Sequence, residues 1–207
     1  MSLSESQEPK AYKPAMNKAR NRLARTEVED IINQTDISFE NNHFIIPGLN
    51  QEYYVEYPSG EVSNSQQDIP VAIGMKIVIL HFLTRGNNWS PTNKLVSYKE
   101  LPNGNVYEDA FQREAVQPII DSFSYNLTQL QKVAQKLGAS FINKGDLGFK
   151  INALPTVPVT YILWSGDDEL TGGANILFDS SVITKLHTED LAFLGEYITS
   201  LLLKFKE

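Results

Sequence analysis

The sequence predicts one α+β domain, a mostly antiparallel sheet with helices packed on one face. Three observations carry this. The chain has 207 residues, a length that suits one domain or at most two small ones. Hydrophobic residues make up 42% and aromatic residues 10%, enough to bury a core. The apolar period changes between the helical 3.6 and the extended 2 along the chain, and the strand-like runs of the last third have short links that favour antiparallel neighbours.

The elements follow in order. Residues 1–14, polar and carrying Pro9 and Pro14, form a flexible tail ahead of a domain over 15–207. Ala24, Val28 and Ile31, with Leu23 and Ile32, mark one stripe of a helix over 15–34. Strands near 42–46, 51–57 and 61–63 are separated by Pro47-Gly48 and Pro58-Ser59-Gly60, where proline fixes φ and glycine accepts positive φ. Asp68 stands as cap of a helix over 68–85 that closes at Gly86. That helix is apolar almost all round, so it belongs in the core. Asn105, with Glu108 three residues on, opens a helix that Pro118 kinks, and Ser124 caps another that Gly138 ends. Strands over 147–152, 157–164 and 174–178 follow, Trp164 being assigned to the core. Thr188 caps a final helix with Glu189 and Asp190 in its first turn, the sign the macrodipole favours.

Composition excludes several functions. Lys and Arg number 18 against 25 Asp and Glu, a net charge of −7, which argues against a nucleic-acid or anionic-membrane surface. Residues 1–26 hold six positive charges, Lys10, Lys13, Lys18, Arg20, Arg22 and Arg25, against Glu5 and Glu8, read as a solvated tail followed by a helix with a basic face. The absence of cysteine removes disulfides, thiolate zinc sites, cysteine-held Fe–S clusters and thiol catalysis. The N-terminal residues have no apolar run of a secretory signal, and the longest apolar stretch, Val71 to Leu83, is too short to span a bilayer. A cytoplasmic location is the expectation. G-x-G-x-x-G, the Walker pattern, H-E-x-x-H, EF-hand spacing and the G-x-S-x-G elbow are all missing.

LHFLTR (80–85), VSYKELPNGNVYEDAF (96–111), LPTVPVTYILWSGDDEL (154–170), NILFDSS (175–181) and LHTEDL (186–191), in this order and spacing, resemble a prokaryotic domain-of-unknown-function family, numbered 3786, over about residues 40–203. The resemblance implies a domain identity and a prokaryotic source, largely among anaerobes. It implies no reaction. The cysteine-rich segments of some relatives have no counterpart here.

Candidate chemistry rests on two groups. Asp167, Asp168 and Glu169 follow a strand end, and Asp179 lies one strand further on. Oxygen donors on such a loop suit Ca²⁺ or Mg²⁺, and His187 adds an imidazole that favours a transition metal. The plainer account is an exposed acidic turn that needs no metal for folding. Arg85 and Arg113 are able to clamp a carboxylate or phosphate, with Trp89 lining a groove over 85–92. Their plainer account is pairing with helix carbonyls or glutamates. His81, inside the apolar helix, is expected buried with one hydrogen bond, with a catalytic base as the other option, since histidine titrates near neutrality.

Two classes of function follow. The first is a non-catalytic binding or accessory domain with no cofactor and a protein or small-molecule partner, formed around Arg85, Trp89 and Arg113. The alternative is a divalent-metal-dependent hydrolase using the acidic 167–190 segment.

Overall fold

The computed structural model describes residues 10–35, 37–66, 69–85 and 90–206. The cap at Asp68, the helix stop at Gly86, Trp89 and most of the 1–14 tail lie outside the described residues. The α+β class holds, but the strands form two antiparallel sheets where a single one is expected.

The first sheet is a meander of β1 (Ser38–Glu40), β2 (His43–Gly48), β3 (Gln51–Glu56) and β4 (Val62–Asn64), in that spatial order. Two-residue turns join its first strands. Asn41 and Asn42 adopt φ of 49° and 64°, and Leu49 and Asn50 adopt 50° and 58°. Asparagine tolerates this left-handed region. Leu49 is held there because its side chain is buried and its N–H donates to Asn152 O at 3.0 Å. The second sheet comprises β5 (Leu95–Ser97), β6 (Ser140–Ile142), β7 (Leu147–Leu154), β8 (Val157–Trp164) and β9 (Gly173–Asp179), ordered β5-β9-β8-β7-β6. The sheets meet where Leu49 bonds Asn152 and Gly48 lies against the Ala153 carbonyl, too close for any Cβ. One continuous core includes Phe44 and Val55 of the first sheet and Phe149 and Tyr161 of the second.

The helices depart from expectation at their ends. The stripe over 15–34 is two helices, α1 (Lys13–Leu23) and α2 (Val28–Thr35). Between them Thr26 Oγ1 donates to Arg22 O at 2.9 Å, a local bond that competes with helix continuation. α3 (Ile73–Thr84) has 9 of its 12 residues buried, as its all-round apolar character requires. It packs against α1, α2 and α7. α4 (Gly104–Phe111) is capped by Asn103 at φ 62°, with Asn105 already inside the helix. The kink expected at Pro118 takes the form of a π turn over Gln112–Val116, followed by α5 (Gln117–Phe123). Proline has no N–H to return to the preceding turn. Nearby, Thr199 Oγ1 of the last helix donates to Ala115 O at 2.9 Å. Asn126, rather than Ser124, caps α6 (Leu127–Lys136), accepting from Gln129 N at 3.1 Å. α7 (Thr188–Lys204) begins at His187 as cap, while Thr188 Oγ1 donates to Pro102 O at 2.8 Å.

Trp164 is 43% exposed and therefore not core. It is the last residue of β8, paired with Gly173.

Candidate functional site

The site is built on the last turn of α3 and the first turn of α7. Asp190 is the third residue of α7, and its Oδ2 accepts the backbone N–H of His187 at 2.8 Å. This is the acidic half of a capping box, which orients the carboxylate and satisfies a free donor. Asp190 is only 5% exposed. A buried carboxylate needs further partners, and α3 supplies one: His81 Nδ1 lies 3.0 Å from both Asp190 oxygens. Arg85 stands four residues after His81, on the same helical face. Its Nη1 donates to His187 Nε2 at 2.7 Å. The two imidazoles meet edge to face with centroids 4.9 Å apart. His81, His187 and Asp190 thus each offer one ligand atom, all within 4.8 Å of one another. Burial, and then the Arg85 charge, lower the His187 pKa below its ordinary value. This favours a neutral ring that accepts from Arg85.

His81 and Asp190 lie at one end of a cleft of about 600 Å³ between α3, α4 and α7. Its apolar lining includes Ile77, Val78 and Phe193, and its aromatic lining includes the buried Tyr98 and the exposed Tyr107. Tyr12 and Ala15, at the start of α1, close one side. The charged side chains on the lining besides His81 and Asp190 are Glu189 and Glu196, and no Lys or Arg is among the described lining residues. Burial pushes the Tyr98 phenol up to about 12, reinforced by Glu189, Tyr107, Glu196 and Glu108. Burial also raises the Glu196 carboxyl, against a hydrogen bond from Tyr107 that lowers it. Gly74 of α3 faces the Phe193 ring so closely that a Cβ there would have to displace it. Another groove of similar volume runs along β4, lined by Tyr54, Val62, Ile69 and Lys76. Lys76 is paired with Glu61 at 2.9 Å, and among the described residues the groove holds no comparable cluster of imidazole and carboxylate.

Residues 27–200 match the family described as Domain of unknown function (DUF3786). The chain belongs to this family. No curated protein and no solved structure matches it. The DUF3786 match takes in His81, Arg85, His187 and Asp190 but leaves out Tyr12, Ala15 and the rest of α1. No described helix is long and apolar enough to cross a membrane.

Within this DUF3786 chain the residues singled out by sequence are dispersed. Arg85 and His187 come together. Arg113 does not join them; it is exposed in the π turn, its Nε 2.8 Å from Glu114 Oε1. Trp89 lies outside the described residues. Asp167, Asp168 and Glu169 sit exposed in the connection between β8 and β9. Asp167 Oδ1 accepts from Glu169 N and Leu170 N at 2.9 and 2.7 Å, which holds its carboxyl below the ordinary range. Asp179 is 2% exposed. It accepts from Thr92 N at 3.2 Å, Thr92 Oγ1 at 2.9 Å, Asn93 N at 2.6 Å and Ser181 N at 3.0 Å. Burial pushes this carboxyl up, but the bonds from Ser181 and Thr92 outweigh it, and its pKa ends below the ordinary value. Its oxygens are thus occupied in fixing the chain over residues 92–93 to β9. Among the described residues, the metal-capable group contains His187 alone of the five residues proposed from sequence. The others it needs, His81 and Asp190, are marked in sequence only by a His-x-x-Asp step at a helix start and a His-x-x-x-Arg step at a helix end.

Proposed function

We propose that the domain is a non-catalytic binding module, and that its ligand is a small organic cation bearing an apolar or aromatic body, seated in the cleft between α3, α4 and α7. The carrying observation is the lining: an apolar wall, tyrosine faces, two glutamates at the rim, and no described Lys or Arg. An ammonium gains from carboxylates and from aromatic faces together, and both disfavour an anion. A cleft of about 600 Å³ has the size of a small-molecule site. A cytoplasmic setting and a protein partner on the remaining surface are part of the same proposal, resting on the sequence alone.

Calorimetric titration with benzyltrimethylammonium, and with phenylacetate as the anionic counterpart, tests it. The account expects the cation to bind and the anion not to. It expects Glu189→Gln with Glu196→Gln to weaken cation binding about 5- to 30-fold, two lining charges at roughly 0.5–1 kcal/mol each. Equal binding of both probes, or cation binding unchanged in the double variant, would overturn the reading.

A further inference from the structure

We infer that His81, His187 and Asp190 form a binding site for a divalent transition-metal ion at the inner end of the cleft. This goes beyond the organic-cation reading and stands independently of it. Two imidazoles and one carboxylate are the donor set that suits Zn²⁺, Co²⁺, Ni²⁺ or Fe²⁺ over Ca²⁺ and Mg²⁺, which take oxygen donors. The three ligand atoms lie within 4.8 Å of one another. An ion about 2.1 Å from each tetrahedral ligand sets them roughly 3.4 Å apart, so the widest pair closes by about 1.4 Å, within reach of one imidazole rotation.

The surroundings are those of a built site. Asp190 is pre-oriented by the His187 backbone N–H, as an outer hydrogen bond orients a ligating carboxylate. His81 and Asp190 line the cleft, which gives an ion a path in. A hydrogen-bonded histidine–aspartate pair explains His81 and Asp190 by themselves. It does not explain a second half-buried imidazole packed edge-on against the first at 4.9 Å. Arg85 holds that second ring at 2.7 Å and places a positive charge where an ion would add two. It is therefore a competitor of the metal: entry of the ion moves Arg85 off His187.

The chain has only three histidines, and His43 is bound elsewhere, its Nδ1 2.8 Å from Asn41 O. Untagged protein, stripped with EDTA and titrated with Zn²⁺, gives a direct test by NMR of the histidine rings. The expected result is that two ring systems, His81 and His187, shift together at one equivalent while His43 stays in place. Co²⁺ should give the visible d–d spectrum of a nitrogen–oxygen site. His187→Ala, checked for folding by near-ultraviolet circular dichroism, should weaken Zn²⁺ binding by about 100-fold or more, and Arg85→Met should tighten it several-fold, about the effect of removing one nearby like charge. The inference is overturned if no histidine ring shifts at one equivalent. It is equally overturned if a folded His187→Ala protein binds as the wild type does, or if binding is lost in Asp167→Asn/Asp168→Asn/Glu169→Gln instead. Binding that Arg85→Met weakens would refute the competitor role.

Discussion

Lys185 shows what a single charge costs when it is placed in the core. It is 1% exposed, its Nζ donating to Gln34 O at 3.3 Å and lying 5.1 Å from the Phe82 ring centroid. The Gln34 carbonyl belongs to the last turn of α2, where a cation is favoured. Burial nevertheless pulls the ammonium down to about 8 from 10.5. Between those values the unfolded chain binds more protons than the folded one, so stability rises with pH. Above about pH 10 this gain is opposed, because unfolded tyrosines ionise there while burial keeps Tyr53 and Tyr161 protonated in the fold. Lys185→Met should therefore add about 1–3 kcal/mol at pH 7 and flatten the rise between pH 8 and 10. Urea titrations across that range measure both effects, and parallel pH profiles for the two proteins would contradict the account. Lys185 is the one Lys or Arg among residues 165–190, against six acids, yet nothing local marks its burial, since composition says nothing about which residue the core encloses.

At the scale of elements, what the sequence shows is periodicity. α3 is legible because apolar residues on every side leave a helix only one stable place, and 9 of 12 positions are buried. Leu80→Ala in this helix should cost about 2–5 kcal/mol, since Leu80 is fully buried and the cavity left behind collapses only partly. Chemical denaturation measures it, and a loss under about half a kcal/mol would mean that α3 is not central. β2, β3, β7, β8 and β9 were likewise legible from alternation and turn residues. The failures are local. β6 has three residues and no period to detect. The caps expected at Asn105, Ser124 and Thr188 are held by Asn103, Asn126 and His187, each within two residues. In such a cluster several side chains compete for the same free N–H groups, and tertiary bonds such as Thr188 to Pro102 O decide between them.

Across the whole molecule, contacts between distant parts of the chain decide, and the sequence shows least of these. The antiparallel α+β class could be read, because links and periods are local properties. The division into two sheets could not, since it depends on which strands far apart along the chain pair with one another. The candidate site is assembled in the same way: His81 and Asp190 are 109 residues apart and meet only because α3 packs on α7. The acidic run at 167–169 drew notice as a motif, yet an exposed turn satisfies its own backbone donors and gathers nothing around it. The cleft likewise takes walls from α1, α3, α4 and α7.

The central claim is that this cleft is where the domain binds its ligand. Backbone amide NMR during titration with benzyltrimethylammonium tests it most directly, since each shift is assigned to a residue. The account predicts saturable shifts confined to Gly74, Ile77, Val78, Tyr98, Val106, Ala192, Phe193 and Glu196, all of which line the cleft. Shifts gathered instead around Tyr125, Trp164 and Leu170, the exposed apolar residues near the β8–β9 connection, or no saturable shift at all, would contradict it.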